Sequence, residues 1–302
     1  MHTQSMIEQA AGRPPSALAD DELRARMRGM WSAVAPAWGE HAEYIDTRHA
    51  ESTAQILAAV APQPGERVLE LACGAGGVGM LAAELVGPGG AVVISDVVAE
   101  MTAIAAARAA ARGLEHVSTR ERDLERIDEP DTFYDVVLCR EGLMFVPDPA
   151  AAARELHRVL RPGGRVALTV WGPPADNPWL ALILEAVSAQ LGRPVPPPGI
   201  PGPFSLADAD DLADLLRDGG LSDVSVRAVA APMRASSFED WWTKTSSLAG
   251  PLARILASMS EPATQALLAD LRERMAPYGR DDGGLELPGV TLLASGRRAA
   301  AA

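Results

Sequence analysis

Between residues 66 and 172 the chain alternates two kinds of segment, and this alternation narrows the fold more than any other feature. Short aliphatic and β-branched runs at Arg67–Leu71, Ala91–Asp96, Val117–Asp123, Tyr134–Arg140 and Arg165–Trp171 predict strands. Alanine-rich stretches at Val78–Leu85, Ala99–Arg112 and Ala150–Leu160 predict helices between them. Near-continuous apolar strands separated by helices imply βαβ units, hence a parallel sheet covered on both faces. Pro162–Gly163–Gly164 reads as the turn that feeds the fifth strand.

The flanks are helical. Residues 1–20 read as a frayed tail with a turn at Pro14–Pro15. A helix is expected from an Asp20 or Asp21 cap through Trp31, Val34 and Trp38 to Tyr44, broken near Pro36, and a second from Thr47 to Val60. After Trp171 the sequence predicts a helix over Asn177–Leu191, a stiff connector over Pro194–Pro203 and a helix capped by Ser205 that runs to Leu216. Two final strands are expected at Val224–Val229 and Val290–Ala294, with a helical excursion over residues 236–278 between them. Three regions result: an N-terminal tail and helical lid (1–60), a Rossmann-like core (61–172) and a C-terminal part (173–302).

Composition excludes several classes. Of 302 residues, 48% are hydrophobic and 22% charged, a globular balance. No apolar run approaches the ~20 residues that span a bilayer, and no basic start followed by an apolar core marks a secretory signal. Forty acidic against 27 basic residues give a net charge of −13, which repels phosphate backbones and argues against nucleic acid as a partner. Lys244 is the sole lysine, the coding bias of a GC-rich bacterial genome. Cys73 and Cys139 form no CxxC pair, which favours a reduced, cytoplasmic setting. The five histidines are scattered and supply no metal-ligand spacing, so no metal site is expected.

The segment V-L-E-L-A-C-G-A-G-G-V-G, residues 68–79, carries the chemistry. It follows a strand and opens a helix, and its glycines let the backbone turn tightly and approach a ligand closely. Gly74, Gly76 and Gly79 satisfy the dinucleotide pattern G-x-G-x-x-G, with Asp96 about 20 residues onward. On the glycines alone, a nicotinamide-dependent oxidoreductase and other nucleoside binders remain open. Four neighbours separate them: Glu70 inside the first strand, Asp96 closing the second, Asp123–Leu124 closing the third and Arg161–Pro162–Gly163–Gly164 before the fifth.

Together these resemble the class I S-adenosylmethionine-dependent methyltransferases. The segments Met30–Trp38 and residues 287–296 are similar to the ubiquinone/menaquinone C-methyltransferase-like group of small-molecule enzymes within that family. The resemblance implies a seven-stranded α/β sheet of order 3-2-1-4-5-7-6 with strand seven antiparallel, an N-terminal helical lid and helical insertions around strand six. It implies S-adenosylmethionine as cofactor, leaving S-adenosylhomocysteine, held by Trp38, Glu70, Ala72, Cys73, Gly74, Gly76, Asp96, Val97, Met101, Asp123, Leu124 and Arg140. Trp38 and Tyr44 are expected as lid aromatics, since an electron-rich ring attracts a sulfonium. At most one of Trp241 and Trp242 is expected to line an acceptor pocket.

The acceptor end is read from Arg140–Phe145 after the fourth strand. No N-P-P-Y-like sequence of nucleic-acid and protein N-methyltransferases stands there, so O- or C-methylation of a small, partly apolar metabolite is favoured. Glu141 and His41 are the candidate bases, needed only where an acceptor proton must leave first. A non-catalytic protein of the same fold is the remaining alternative, and the resemblance allows a homodimer.

Overall fold

The computed structural model describes residues 15–300. Of the tail expected over residues 1–20, residues 1–14 lie outside the described residues and 15–20 are helical instead. Helix α1 (Pro15–Glu40) is followed by α2 (Ala42–Arg48) and α3 (Ala50–Val60). Residues 15–20 are already helical, so this helix does not start at an Asp20 or Asp21 cap. The helix also passes through Pro36 without a break. An interior proline disfavours a helix by about 3 kcal/mol, a penalty here set against burial of Met30, Val34 and Ala35 on the same helix.

Strands β1 (Arg67–Leu71), β2 (Ala91–Asp96), β3 (Val117–Glu121), β4 (Tyr134–Arg140) and β5 (Leu160–Trp171) alternate with α4 (Gly77–Val86), α5 (Ala99–Ala111) and α6 (Pro149–Val159). Then come α7 (Pro178–Leu191), α8 (Ala209–Asp218), β6 (Ser222–Ala230), α9 (Phe238–Leu248), α10 (Gly250–Ala257), α11 (Glu261–Met275) and β7 (Val290–Arg297). The seven strands form one sheet in the order β3-β2-β1-β4-β5-β7-β6. β1 to β5 pair in parallel, and β7 runs antiparallel between β5 and β6, as the resemblance implies. A separate ribbon pairs Met233–Ala235 with Leu285–Leu287.

Strand periodicity divides the core. Leu69, Leu71, Val137, Cys139 and Leu168 face one cluster; Val68, Val136, Leu138, Ile94 and Ala167 face the other. In register, Leu69 lies opposite Val93 and Val137, and Leu168 opposite Ala294. Both faces of β1, β2, β4 and the second half of β5 are therefore dry, which explains their apolar runs, whereas the edge strand β3, Val117–Glu121, has no buried residue.

Three sequence boundaries move. β3 stops at Glu121, so Asp123 lies past the strand in an isolated bridge to Arg126. β5 starts at Leu160, and the strand bulges through Gly163, whose φ is +78°. Ser205 caps no helix: its hydroxyl accepts from Gly202 N–H, while Asp208 caps α8 by accepting from Asp210 and Asp211.

Candidate active site

The loop after β1 meets the end of β2 through backbone and side chain together. Cys73 N–H donates to Ser95 O at 2.9 Å and Gly76 N–H to Cys73 O at 2.8 Å. Gly74 has φ +52° and Gly76 φ +81°, in the left-handed region that favours glycine. The Gly74 N–H donates to Asp96 Oδ2 at 2.9 Å, and Val98 N–H donates to Asp96 Oδ1 at 3.1 Å. One carboxylate thus fixes both the glycine loop and the start of α5. Burial pushes the Asp96 carboxyl up to about 6, against the opposing pull of these N–H donors.

Arg108 and Asp46, which the sequence did not single out, brace this loop together with Trp38. Arg108 donates to Ala75 O and Asp46 Oδ2, both at 2.5 Å, tying α5 and α2 to it. Trp38 lies on it so closely that a Cβ at Gly74 would stand 2.5 Å from the indole. The Trp38 indole N–H donates to Leu248 O at 3.0 Å, joining α1 to the end of α9.

Above the carboxyl ends of the strands is a cavity of about 610 Å³, a size suited to a small-molecule ligand. Of the residues expected to hold a cofactor, Trp38, Ala72, Cys73, Gly74, Asp96, Val97, Met101, Asp123, Leu124 and Arg140 line it. Glu70, Gly76 and His41 do not line it. Gly76 packs instead toward Ala105, where a Cβ would come within 2.8 Å.

Glu70 lies beneath the loop, 1% exposed, and accepts from Gly79 N–H at 2.9 Å in the first turn of α4. Gly79 admits it, since a Cβ there would be 2.4 Å from Glu70 Oε2. Burial pushes the Glu70 carboxyl up to about 8, against the pull of Arg140 and the Gly79 N–H. A carboxyl raised in the folded chain contributes stability that is present below the ordinary carboxylate range and lost as pH rises through about 8. Glu70→Gln, which stays neutral, is therefore expected to gain melting temperature over the wild type as pH is raised from about 5 to 9. Calorimetric melts of both proteins without cofactor measure this; a difference that does not change with pH would refute the buried, raised carboxyl.

The opposite end of the cavity is built where β4 ends. Glu141 adopts φ +57°, strained for a non-glycine residue, and its N–H donates to Thr169 O at 2.8 Å. Gly142 follows because a Cβ there would be 2.3 Å from the Ala72 Cβ. That contact presses the β4 turn against the β1 loop, so Glu141 and the glycine loop share one cavity. His49, between α2 and α3, faces Glu141 with Nδ1 3.4 Å from Oε1; neither atom has a hydrogen-bond partner meeting normal geometry. Burial raises the Glu141 carboxyl, but His49, Arg140 and Arg48 together hold it below the ordinary range. Burial lowers His49, and Glu141 only partly restores it. At neutral pH the pair is a carboxylate beside a neutral imidazole.

Aromatic walls complete this end. Trp171 and Trp179 stand edge to face with centroids 5.0 Å apart, and the Trp179 N–H donates to Asn177 Oδ1 at 3.2 Å. Asn177 also bonds Val290 in both directions, fixing the β5 exit to the start of β7. Trp241 is fully buried core, and neither it nor Trp242 lines the cavity.

Against known proteins, the family described as a methyltransferase domain matches residues 68–164. The nocamycin O-methyltransferase of Saccharothrix syringae is 35% identical over 229 residues, covering 71% of this chain and 79% of that enzyme. The chain is a class I S-adenosylmethionine-dependent methyltransferase. The methyltransferase is also 35% identical over 127 residues to the ubiquinone/menaquinone biosynthesis C-methyltransferase of Ectopseudomonas mendocina, covering 42% of this chain and 49% of that one. It thus matches only about half the length of that relative. In fold it is similar to the YcgJ protein of Bacillus subtilis, with TM-score 0.57 and 19% identity over 84% of this chain and all of that one. It is similar too to phosphoethanolamine N-methyltransferase 2 of Haemonchus contortus in complex with S-adenosylmethionine, with TM-score 0.52 and 20% identity over 82% and 52% of the two chains. The nicotinamide alternative finds no support among these relatives.

The methyltransferase uses S-adenosylmethionine, and the residues present fit that group. Asp96 carries the buried carboxylate suited to a ribose diol, beside an apolar slot of Val97, Met101 and Leu124. Among the described residues no helix is long and apolar enough to cross a membrane.

Proposed function

We propose that this methyltransferase methylates an ionisable hydroxyl of a small, partly apolar molecule, with His49 as base and Glu141 orienting it. The observation that supports this is the buried His49–Glu141 pair on the cavity wall, 3.4 Å apart, between the glycine loop and the Trp171–Trp179 pair. An ionised Glu141 favours the tautomer with hydrogen on Nδ1, which leaves the Nε2 lone pair for the acceptor. The name of the O-methyltransferase relative accords with oxygen as acceptor atom.

In this reading Asp96 receives the ribose hydroxyls, Val97, Met101, Asp123 and Leu124 enclose the adenine, and Trp38, Ala72, Cys73, Gly74 and Arg140 border the methionine part. Glu70 and Gly76 support the loop from behind. When bound, the cofactor supplies a methyl group already activated on a sulfonium. The chain then has three tasks. Trp38 and the loop exclude water, the tryptophan walls align the acceptor, and His49 takes its proton. Alignment of this kind is worth up to ~7–11 kcal/mol. The setting inferred is the cytoplasm.

The test is incubation with methyl-labelled S-adenosylmethionine and a panel of phenols, enols and hydroxy acids, with the product located by mass spectrometry and NMR. Label on oxygen, formed by the wild type and abolished in His49→Ala, is expected. Label on carbon or nitrogen, or transfer that survives His49→Ala undiminished, refutes the reading.

A further inference from the structure

Arg48 closes α2 immediately before His49 and lines the cavity. Its guanidinium carbon lies 4.3 Å from the Trp179 ring centroid and 5.3 Å from that of Trp171. Both terminal nitrogens are shut away from solvent, and neither hydrogen-bonds any described group. A guanidinium offers five donors in a fixed fork, and leaving buried donors empty is unfavourable. The tryptophan faces compensate the charge but accept no hydrogen bond in its plane. Glu141 acts on Arg48 through space but makes no ion pair with it, and its Oε1 lies 3.4 Å from His49 Nδ1.

The surroundings repeat the sign. Eight arginine and lysine side chains line the cavity against four carboxylates, in a chain whose net charge is −13. Arg26, Arg193 and Arg254 among them enter no ion pair with the described residues. A cationic cleft in an acidic protein steers anions toward itself. Leu180, Leu184 and Leu252 supply an apolar lining beside the tryptophans.

We propose that the methyl acceptor is an amphipathic anion: an apolar or aromatic body carrying a carboxylate that Arg48 receives while its hydroxyl faces His49. This rests on the reading of the cavity as the place where acceptor and cofactor meet. Arg48 supplies paired donors matched to a carboxylate, on a platform held by the Trp179–Asn177 bond. It is a specificity-determining residue and takes no part in proton transfer.

The experiment compares a hydroxynaphthoate with the matching naphthol, titrated calorimetrically into the S-adenosylhomocysteine-loaded protein. The wild type is expected to bind the hydroxynaphthoate at least about tenfold more tightly, a preference that weakens with salt. In Arg48→Met the preference is expected to fall below about twofold, and Arg48→Lys to keep part of it, with S-adenosylhomocysteine affinity unchanged in both. Equal binding of the two probes by the wild type, no binding of either at millimolar concentration, or a preference that survives in Arg48→Met would each overturn the proposal. The S-adenosylhomocysteine titration is read separately, so a failure of the cofactor site is told apart from a failure of the acceptor site.

Discussion

Asp96→Ala is expected to weaken S-adenosylhomocysteine binding by about 100-fold or more. Two hydrogen bonds to a charged acceptor are each worth about 1.5–3 kcal/mol, and every ~1.4 kcal/mol is tenfold in affinity. The substitution also strands the N–H groups of Gly74 and Val98, so the loop loses the carboxylate that shapes it. A pH dependence accompanies the effect. Burial raises the Asp96 carboxyl to about 6, and only its ionised form accepts from two hydroxyls at once. Affinity is therefore expected to rise with pH through about 6 and to level off above it, with no such step in Asp96→Asn. Calorimetric titration between about pH 5 and 8 measures both quantities, and circular dichroism verifies that the variants are folded. A dissociation constant within threefold of the wild type, or a pH step retained in Asp96→Asn, would remove Asp96 from the cofactor site.

The parts legible in the sequence are those written in short range. β1, β2, β4 and the second half of β5 appear as largely apolar runs because helices cover both faces, while the edge strand β3 is polar and exposed; the first strand, its loop and the second strand are contiguous enough for their order to be read directly. Asp96 was reachable because it closes a strand at a familiar distance from the glycines. Glu70 was identifiable as a special residue, yet its place was not: an alternating strand puts residue 70 on the same face as Val68 and Ile94, under the loop and out of the cavity. Sequence spacing records that a carboxylate belongs there, and only packing tells which side of the loop it serves.

The acceptor end was less legible because its members come from remote segments. Arg48 and His49 stand 92 residues or more before Glu141, and Trp179, Asn177 and Val290 meet across a gap of 113 residues. His41 and His49 are both histidines of the N-terminal helices, and nothing local separates them. The difference lies in α2, a seven-residue helix whose far end brings Arg48 and His49 to the cavity while His41 remains at its start. The helix limits moved for a related reason. Pro36 argues locally for a break, whereas burial of Met30, Val34 and Ala35 along α1 argues for continuity, and the second consideration operates only once the helix is packed against the rest of the chain.

The second large effect belongs to that remote pair. His49→Ala is expected to lower kcat by about 10²–10⁴-fold, the range for loss of a positioned base, with S-adenosylhomocysteine affinity unchanged. Glu141→Gln is expected to lower kcat by at least about tenfold while His49 stays in place, because the amide neither secures the Nδ1–H tautomer nor stabilises the imidazolium formed in the reaction. The pH profile distinguishes orientation from mere structural support. Burial keeps His49 below its ordinary value, so the neutral base form dominates at pH 7 and the rate falls only on the acid side. Glu141 opposes that lowering; removing its charge lowers His49 further. The acid limb of Glu141→Gln must then move to lower pH even as its plateau drops. Nitrogen NMR of the His49 ring gives the same shift without any acceptor present. If the limb stays fixed or moves to higher pH in Glu141→Gln, the two residues are not electrostatically joined, and Glu141 does not position His49.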